Sequence, residues 1–328
     1  MKTAPLPDWL TALLADVAPA GQGVHTWLYR CARQLHSRFP APEIVRLLAD
    51  HVANCGRAVS RKEIEEAVTN SVRCAWQPRG PTAGAAAPAV RKWPEPDLAQ
   101  IEALAQTAGL AELWECSPLR IEDNEPHTEQ IIDALFPGDP LICAGKSQSE
   151  FATRPREQWR GQLSGLQFLV PSPMTAPTGT TQGGRVSAHT LANTGPRKFL
   201  VVECDFAEFA RDGKTETRYA PMLRRLAQAN GGDMAGAVAD LCAAMLLHLA
   251  HYAPLVLCVH SGGKSLHGWF HCAGQPEAKL ARFFRYAVTL GADPATWTKS
   301  QFVRMPDGTR DTGRPQAVFF FAPQRVTL

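Results

Sequence analysis

Lys264, Ser265 and His267 lie in the stretch LVLCVHSGGKSLHGWF, whose pattern predicts a β-hairpin. An apolar run from Leu255 to Val259 predicts a buried strand, and the Ser-Gly-Gly that follows predicts a turn where glycine lets the backbone approach a ligand. Side chains then alternate from Ser265 to Cys272, which predicts a second strand with Ser265 and His267 on the same face. The hairpin therefore presents a cation, a hydroxyl and an imidazole at its mouth, and this trio suits a polyphosphate.

Two simpler interpretations of this stretch have to be weighed. Gly263-Lys264-Ser265 is similar to part of a Walker A loop, but that motif needs a glycine where Cys258 stands and a helix afterwards, so we exclude it. The second interpretation is an ordinary glycine hairpin in which His267 is a satisfied polar residue of the core. The stretch by itself does not separate this second interpretation from a phosphate site.

Two carboxylates lie two residues apart on a predicted central strand, Lys198 to Phe206. Glu203 and Asp205 project to the same side, whereas the alternate apolar residues point to the other side. Two carboxylates on one face of an otherwise apolar strand are costly unless they are solvated or paired with cations. The pair therefore belongs either to a site that contains positive charge or to a partly exposed edge strand.

The 328 residues are enough for about two domains and a substantial core. A net charge of +3 is too small to indicate a nucleic-acid partner, so any basic surface must be local. The nine cysteines form no CxxC pair and no zinc-like spacing with histidine, and we find no signal peptide, so we expect reduced thiols and a cytoplasmic protein. The uncharged stretch 241–259 is interrupted by His248, His251 and Pro254, so we expect no membrane segment.

Composition and periodicity divide the chain into three parts. Residues 1–77 predict a small helical domain, in which Ser60 and Glu63 form a capping box. Residues 78–96 are rich in Pro, Gly and Ala, which is typical of a linker. Residues 97–328 predict a larger domain with a strand, two helices, the hairpin, a helix and two late strands. This order indicates an α+β fold with helices on one face of a sheet.

One long stretch of the larger domain has no predicted regular structure. Residues 172–193 are polar and rich in glycine. A structureless segment of this length inside a compact domain is uncommon and is usually functional or disordered. We therefore expect a mobile loop between the short strand near residues 166–170 and the strand that carries the two carboxylates.

Three motifs of the larger domain resemble, in order, those of the archaeo-eukaryotic primase superfamily, especially primase-polymerases of phages and plasmids. Glu203-Cys204-Asp205 resembles the family's pair of strand acids, with Glu in the usual Asp place. Ser265-Leu266-His267 matches its Ser-x-His after a glycine turn, with Lys264 just before. The segment from Arg304 to Arg310 is similar to the Arg-x-Pro-Gly-like segment that follows a third acid in phage-type members.

The third acid of that pattern has no direct counterpart in this chain. Ser300 and Gln301 stand where it is expected, a few residues before Arg304. The nearest acids in the sequence are Asp293, Asp307 and Asp311. Either one of these three replaces the acid, or the site is degenerate.

The resemblance covers about residues 100–328 and implies an RRM-like sheet with packed helices. It implies that the first domain, residues 1–77, is a primase-associated helical domain. It also implies three sets of site residues: catalytic metal ligands for Mg²⁺ or Mn²⁺, a catalytic histidine that also binds nucleotide, and further contacts to the triphosphate. The metal ligands are Glu203 and Asp205, and the catalytic histidine is His267. The further contacts to the triphosphate are Lys264, Ser265 and Arg304.

We therefore expect a metal-dependent DNA primase or polymerase of phage or mobile-element replication. Such a nucleotidyltransferase uses nucleoside triphosphates on a DNA template, and a replicative helicase is a possible partner. The alternative is a catalytically degenerate accessory protein that keeps the fold and binds nucleic acid or nucleotide. The unmatched third acid is the feature that separates the two. A strand-nicking endonuclease is disfavoured because His267 lacks the usual His-x-His partner.

Overall fold

The structure is a computed structural model that describes residues 6–17, 23–53, 55–72, 75, 92–122, 126–210 and 212–326. Its contacts divide the chain into two compact units, residues 1–90 and 91–328. Helices and antiparallel sheets together make it a mixed α+β protein, which confirms the predicted class. Residues 78–91 of the predicted linker lie outside the described residues.

The described part of the first unit is helical. It contains four helices, α1 (Asp8–Ala15), α2 (Val24–Leu35), α3 (Ala41–Val52) and α4 (Arg61–Ser71). Their apolar faces form one core, because residues such as Leu28, Ile44 and Ile64 recur at helical spacing and are buried. Ser60 caps α4 as predicted, since its hydroxyl accepts a hydrogen bond from the Glu63 amide at 3.1 Å.

The second unit begins before the predicted boundary at residue 97. The Trp93 ring packs edge-on against Phe284 and Trp297, with centroid distances of 5.2 and 5.8 Å. The Asp97 amide donates to the Thr289 carbonyl at 2.8 Å. Composition assigned residues 92–96 to the linker, but the burial of one aromatic ring attaches them to the second unit.

The second unit contains six helices and ten strands among its described residues. The helices are α5 (Leu98–Leu104), α6 (Leu110–Glu115), α7 (Thr128–Leu135), α8 (Ala220–Ala229), α9 (Met234–Ala250) and α10 (Glu277–Thr289). The strands are β1 (Leu141–Gly145), β2 (Phe151–Pro155), β3 (Phe168–Leu169), β4 (Gly179–Thr180), β5 (Val186–Ser187), β6 (Phe199–Cys204), β7 (Leu255–His260), β8 (Leu266–His271), β9 (Val303–Arg304) and β10 (Val318–Phe321).

The main sheet is antiparallel and has the strand order β10-β7-β8-β6. One face, which includes Leu200 and Val202, packs with α8, α9 and α10, so helices cover this face as predicted. The opposite face, which includes Val201 and Trp269, packs instead against a second sheet with the order β2-β1-β3-β9. The sequence did not predict this second sheet, because two of its strands are only two residues long and the β3–β9 pairing joins distant parts of the chain.

The polar stretch 172–193 is not the open loop that was expected. It contains the β4–β5 hairpin, and the Asn193 side chain holds its ends together. The Asn193 carboxamide oxygen accepts from the Thr190 amide at 2.9 Å, and its nitrogen donates to the Ala176 and Ala188 carbonyls at 3.0 Å. Hydrogen bonds made by one buried side-chain amide therefore hold this stretch together. The sequence did not predict this structure because the stretch lacks an apolar pattern.

No single helix in the described ranges is long and apolar enough to cross a membrane. Helices α8 and α9 satisfy the length and composition criteria only when they are taken together, and they are bent by 106° at the break between them. Most of α9 is buried in the core of the second unit, between the main sheet and the neighbouring helices.

Candidate functional site

The β7–β8 turn is held by its first serine. The Ser261 amide donates to the Ser265 carbonyl at 2.9 Å. The Ser261 hydroxyl accepts from the amides of Gly263 and Ser265 at 3.3 and 3.2 Å. Gly262 has a φ of +69°, which a residue with a side chain rarely adopts. The predicted glycine turn is therefore present, and it places Lys264 at an exposed position beside buried Ser265.

His267 lies opposite Glu203 in the register of β8 and β6. Its Nε2 atom is 3.5 Å from the Glu203 carboxylate and 3.5 Å from the Ser265 hydroxyl. The residue is only 3% exposed, yet its Nδ1 atom has no hydrogen-bond partner among the described residues. His267 is therefore not the fully satisfied core histidine of the simpler interpretation.

The surroundings of His267 favour its neutral form. Burial lowers the pKa of His267, the Glu203 carboxylate raises it, and the Arg304 charge lowers it again. A neutral imidazole has one donor and one acceptor nitrogen. When Nε2 accepts or shares a proton with its neighbours, Nδ1 is left as a buried group that a ligand can satisfy.

The two predicted acids lie at the end of β6. Asp205 follows the last residue of the strand and is exposed, whereas Glu203 is half-buried. Although the Asp205 residue is exposed, neighbouring protein atoms displace part of the water around its carboxyl group, and this loss of solvation raises its pKa. The Lys264 charge lowers the pKa, and the carboxylates of Glu203 and Asp293 raise it further. The structure thus brings Lys264 of the hairpin motif close to the acid pair of the β6 motif.

Asp293 joins this group through the backbone. Ala292 forms a β-bridge with Cys204, and the Asp293 amide donates to the Glu203 carbonyl at 2.9 Å. The segment after α10 therefore covers the outer edge of β6 next to the two acids. One Asp293 carboxylate oxygen accepts from the Ala295 amide at 2.9 Å, which leaves its second oxygen available to a ligand.

The other two candidates for the third acid have different surroundings. The Asp307 carboxylate accepts from the His127 amide at 2.5 Å, at the start of α7. Asp311 is exposed beside Arg310, with 3.9 Å between the nearest nitrogen and oxygen. Of the three acids that the sequence offered, Asp293 is the one whose backbone and charge are coupled to the acid pair.

Two arginines form a cationic region next to His267. Arg304 lies on β9, in the second sheet, and its Nη1 atom is buried without a hydrogen-bond partner in the described part of the chain. Burial lowers the pKa of Arg304, and the neighbouring Arg310 charge lowers it further. Like charges held together in a partly buried place are costly unless an anion compensates them. Arg304, predicted as a phosphate contact, is therefore well placed for that role.

Arg310 reaches this region from a short hairpin, where Thr309 bridges Pro315. Its Nε atom is buried and makes no hydrogen bond to any described residue. A Cβ atom built on Gly263 would come within 2.8 Å of the Arg310 Nη1 atom, so the guanidinium lies directly against the glycine turn. Arg310 is a site residue that the sequence did not identify, although it ends the third motif.

The acids that were expected to bind a metal ion supply suitable donor atoms but no ready-made site among the described residues. No group of three or more His, Cys, Asp or Glu residues among the described residues is arranged to hold a metal ion. Glu203 faces His267 instead, and Asp293 caps a short turn. The donors themselves are carboxylates, which suit Mg²⁺ or Mn²⁺. Loss of solvation is the main cause of the raised pKa of Asp205, and a bound cation would relieve the repulsion from Glu203 and Asp293 that adds to it.

The arrangement has two adjacent halves of opposite charge. Carboxylates lie at the end of β6, and Lys264 lies beside them. His267, Arg304 and Arg310 each have one buried nitrogen without a hydrogen-bond partner among the described residues. Carboxylates for a cation beside donors for an anion together suit a metal–polyphosphate ligand. Comparisons of the chain with protein-family models, with curated proteins and with solved structures found no match.

Proposed function

We propose that the second unit is a metal-dependent nucleotidyltransferase of the primase-polymerase kind, which uses nucleoside triphosphates on a DNA template in phage or mobile-element replication. One observation carries this proposal. One buried nitrogen each of His267, Arg304 and Arg310 has no hydrogen-bond partner in the described part of the chain, and these nitrogens lie near the carboxylates at the end of β6. A triphosphate with a divalent cation supplies the missing charge to both halves.

Each residue has a role that follows from its position. Glu203 and Asp205 would bind Mg²⁺ or Mn²⁺, with Asp293 as a further donor. The described residues form no ready-made group of three ligands, so the ion would have to draw these carboxylates together. When bound, it would supply charge neutralisation and activation of the attacking hydroxyl. Lys264 balances the carboxylates and contributes a mobile point charge to the phosphates. His267 and Ser265 offer directed hydrogen bonds, and the two arginines supply planar donors that hold the phosphate chain in one orientation.

A second candidate function is an inactive accessory protein that binds nucleotide or nucleic acid. The observation that favours it is the missing three-ligand group among the described residues. In this case the cationic half would still bind a polyphosphate, but the carboxylates would contribute little to its affinity. The two candidates therefore differ in the effect of a divalent cation and in turnover.

The test is template-directed incorporation of nucleotides by the full chain in Mg²⁺ or Mn²⁺, with binding of a nucleoside triphosphate measured in parallel. We expect incorporation by the wild type and a loss of at least a hundredfold for Glu203→Gln, Asp205→Asn and Asp293→Asn, since each variant removes a cation ligand. Glu150→Gln, at an exposed acid in the turn between β1 and β2, is the matched control and should be fully active.

The outcomes separate the candidates. Nucleotide binding without incorporation, and without any effect of the three acid variants, would assign the accessory function. Failure to bind both nucleoside triphosphate and DNA, in Mg²⁺ and in Mn²⁺, would contradict both candidates, because both require the cationic half of the site to hold phosphate.

A further inference from the structure

An aromatic cluster lies behind Arg304. Arg304 and Phe168 are direct cross-strand partners on β9 and β3, and the guanidinium carbon is 4.7 Å from the centroid of the Phe168 ring. Phe168 in turn contacts Phe302, at 6.1 Å between centroids. Phe302 packs against His189 at 4.1 Å and against Phe151 at 5.3 Å. The four rings form one continuous group under the arginine.

The cluster is anchored on both sides. Phe302 is buried, and the other three rings are half-buried. His189 belongs to the folded stretch 172–193, and its Nε2 atom is hydrogen-bonded to the Ser300 carbonyl. The polar stretch is therefore tied to the strand that carries Arg304, and the Phe168 ring has little freedom to turn away.

We propose that Phe168 is a positioning residue that holds the Arg304 guanidinium toward the phosphate chain of the ligand; this inference rests on the proposed function. A long arginine side chain loses much rotamer freedom when it is fixed, and stacking on a ring fixes both its position and its plane. Since the buried Nη1 atom of Arg304 has no partner among the described residues, the ring is the contact that orients the donor before a ligand arrives. Phe168 then contributes to affinity by preorganisation, without touching the phosphate.

The experiment uses the full chain with inorganic tripolyphosphate as the probe, and it measures affinity calorimetrically. We expect Phe168→Leu to weaken binding by roughly three- to tenfold, the range for a partly buried cation–π contact. Phe168→Tyr keeps the ring and should bind like the wild type. Phe151→Leu removes a ring of the same cluster that does not contact Arg304, and it should leave affinity unchanged.

A double-mutant cycle distinguishes positioning from general packing. If Phe168 acts through Arg304, Phe168→Leu should have no further effect on affinity in the Arg304→Ala background. Equal losses in both backgrounds, or an unchanged affinity in Phe168→Leu alone, would overturn the inference. If Phe168→Leu melts below the assay temperature, Phe168→Met fills similar volume without a π face and gives the same comparison.

Failure of the underlying function gives a different result. If Arg304→Ala binds tripolyphosphate as well as the wild type, Arg304 is not a phosphate ligand, and the proposed site itself is wrong. If Arg304→Ala loses binding while Phe168→Leu does not, the site stands and only the positioning role is refuted.

Discussion

The two adjacent glycines of the β7–β8 turn should respond differently to alanine. At Gly262 the φ of +69° is unfavourable for alanine, and the new Cβ would lie 2.7 Å from the Pro315 carbonyl oxygen, a backbone atom that cannot easily move. At Gly263 no such φ is required, and the nearest atom, at 2.8 Å, is the Nη1 end of the flexible Arg310 side chain. Gly262→Ala should therefore cost stability, and Gly263→Ala should displace Arg310.

The magnitudes follow from these contacts. The left-handed conformation costs alanine about 1–2 kcal/mol, and the carbonyl contact adds to it. For a domain of this size each kcal/mol lowers the melting temperature by about 2–4 °C, so Gly262→Ala should melt at least about 2–8 °C below the wild type. Complete loss of a charge-assisted contact to phosphate is worth about 1.5–3 kcal/mol, or roughly ten- to a hundredfold in affinity. Gly263→Ala shifts Arg310 without removing it, so we expect a smaller loss of about three- to tenfold.

Two measurements on the same proteins decide the matter. Thermal melting measures the loss of stability in Gly262→Ala. Calorimetric titration with tripolyphosphate measures the loss of affinity that results when Gly263→Ala displaces the Arg310 side chain. Arg310→Ala sets the maximum loss of affinity, and Gly274→Ala serves as a control, because its φ is also positive but no atom lies within 4 Å of its Cβ position. Normal affinity in Gly263→Ala together with a large loss in Arg310→Ala would refute the claim that this contact positions the guanidinium.

Three further predictions concern the site and the chain. His267→Asn should weaken nucleoside triphosphate binding by roughly ten- to a hundredfold in calorimetric titration; normal binding by the folded fraction would assign His267 to the core. Asp205 has a raised pKa in the folded protein, so its contribution to stability is present at low pH and is lost as pH rises through that pKa. Asp205→Asn should therefore raise the melting temperature at pH 7 without a divalent cation, and a lowered melting temperature would contradict this sign. Limited proteolysis followed by mass spectrometry should cut first between residues 78 and 91, as the composition predicts; earlier cleavage within residues 200–300 would contradict that division.

Much of the local structure could be predicted because it depends on neighbouring residues in the chain. Alternation predicted that Ser265 and His267 share one face of the second hairpin strand, and His267 indeed lies on the same face of β8 as Trp269, which packs in the core between the two sheets. The same rule predicts that Glu203 and Asp205 project to one side, and the structure ends β6 at Cys204, one residue before Asp205. The capping box at Ser60 and the glycine turn at Gly262 are also short-range features.

The site as a whole was decided by the tertiary structure. The sequence separates Asp293 from Glu203 by a hairpin and three helices, and only the pairing of Ala292 with Cys204 brings the two acids together. Arg310 reaches Gly263 because β10, which follows the Arg310 hairpin, pairs with β7, which precedes the glycine turn. No periodicity in the sequence encodes this approach. Periodicity determines which face of an element is buried, whereas the partner across that face depends on how the whole chain packs.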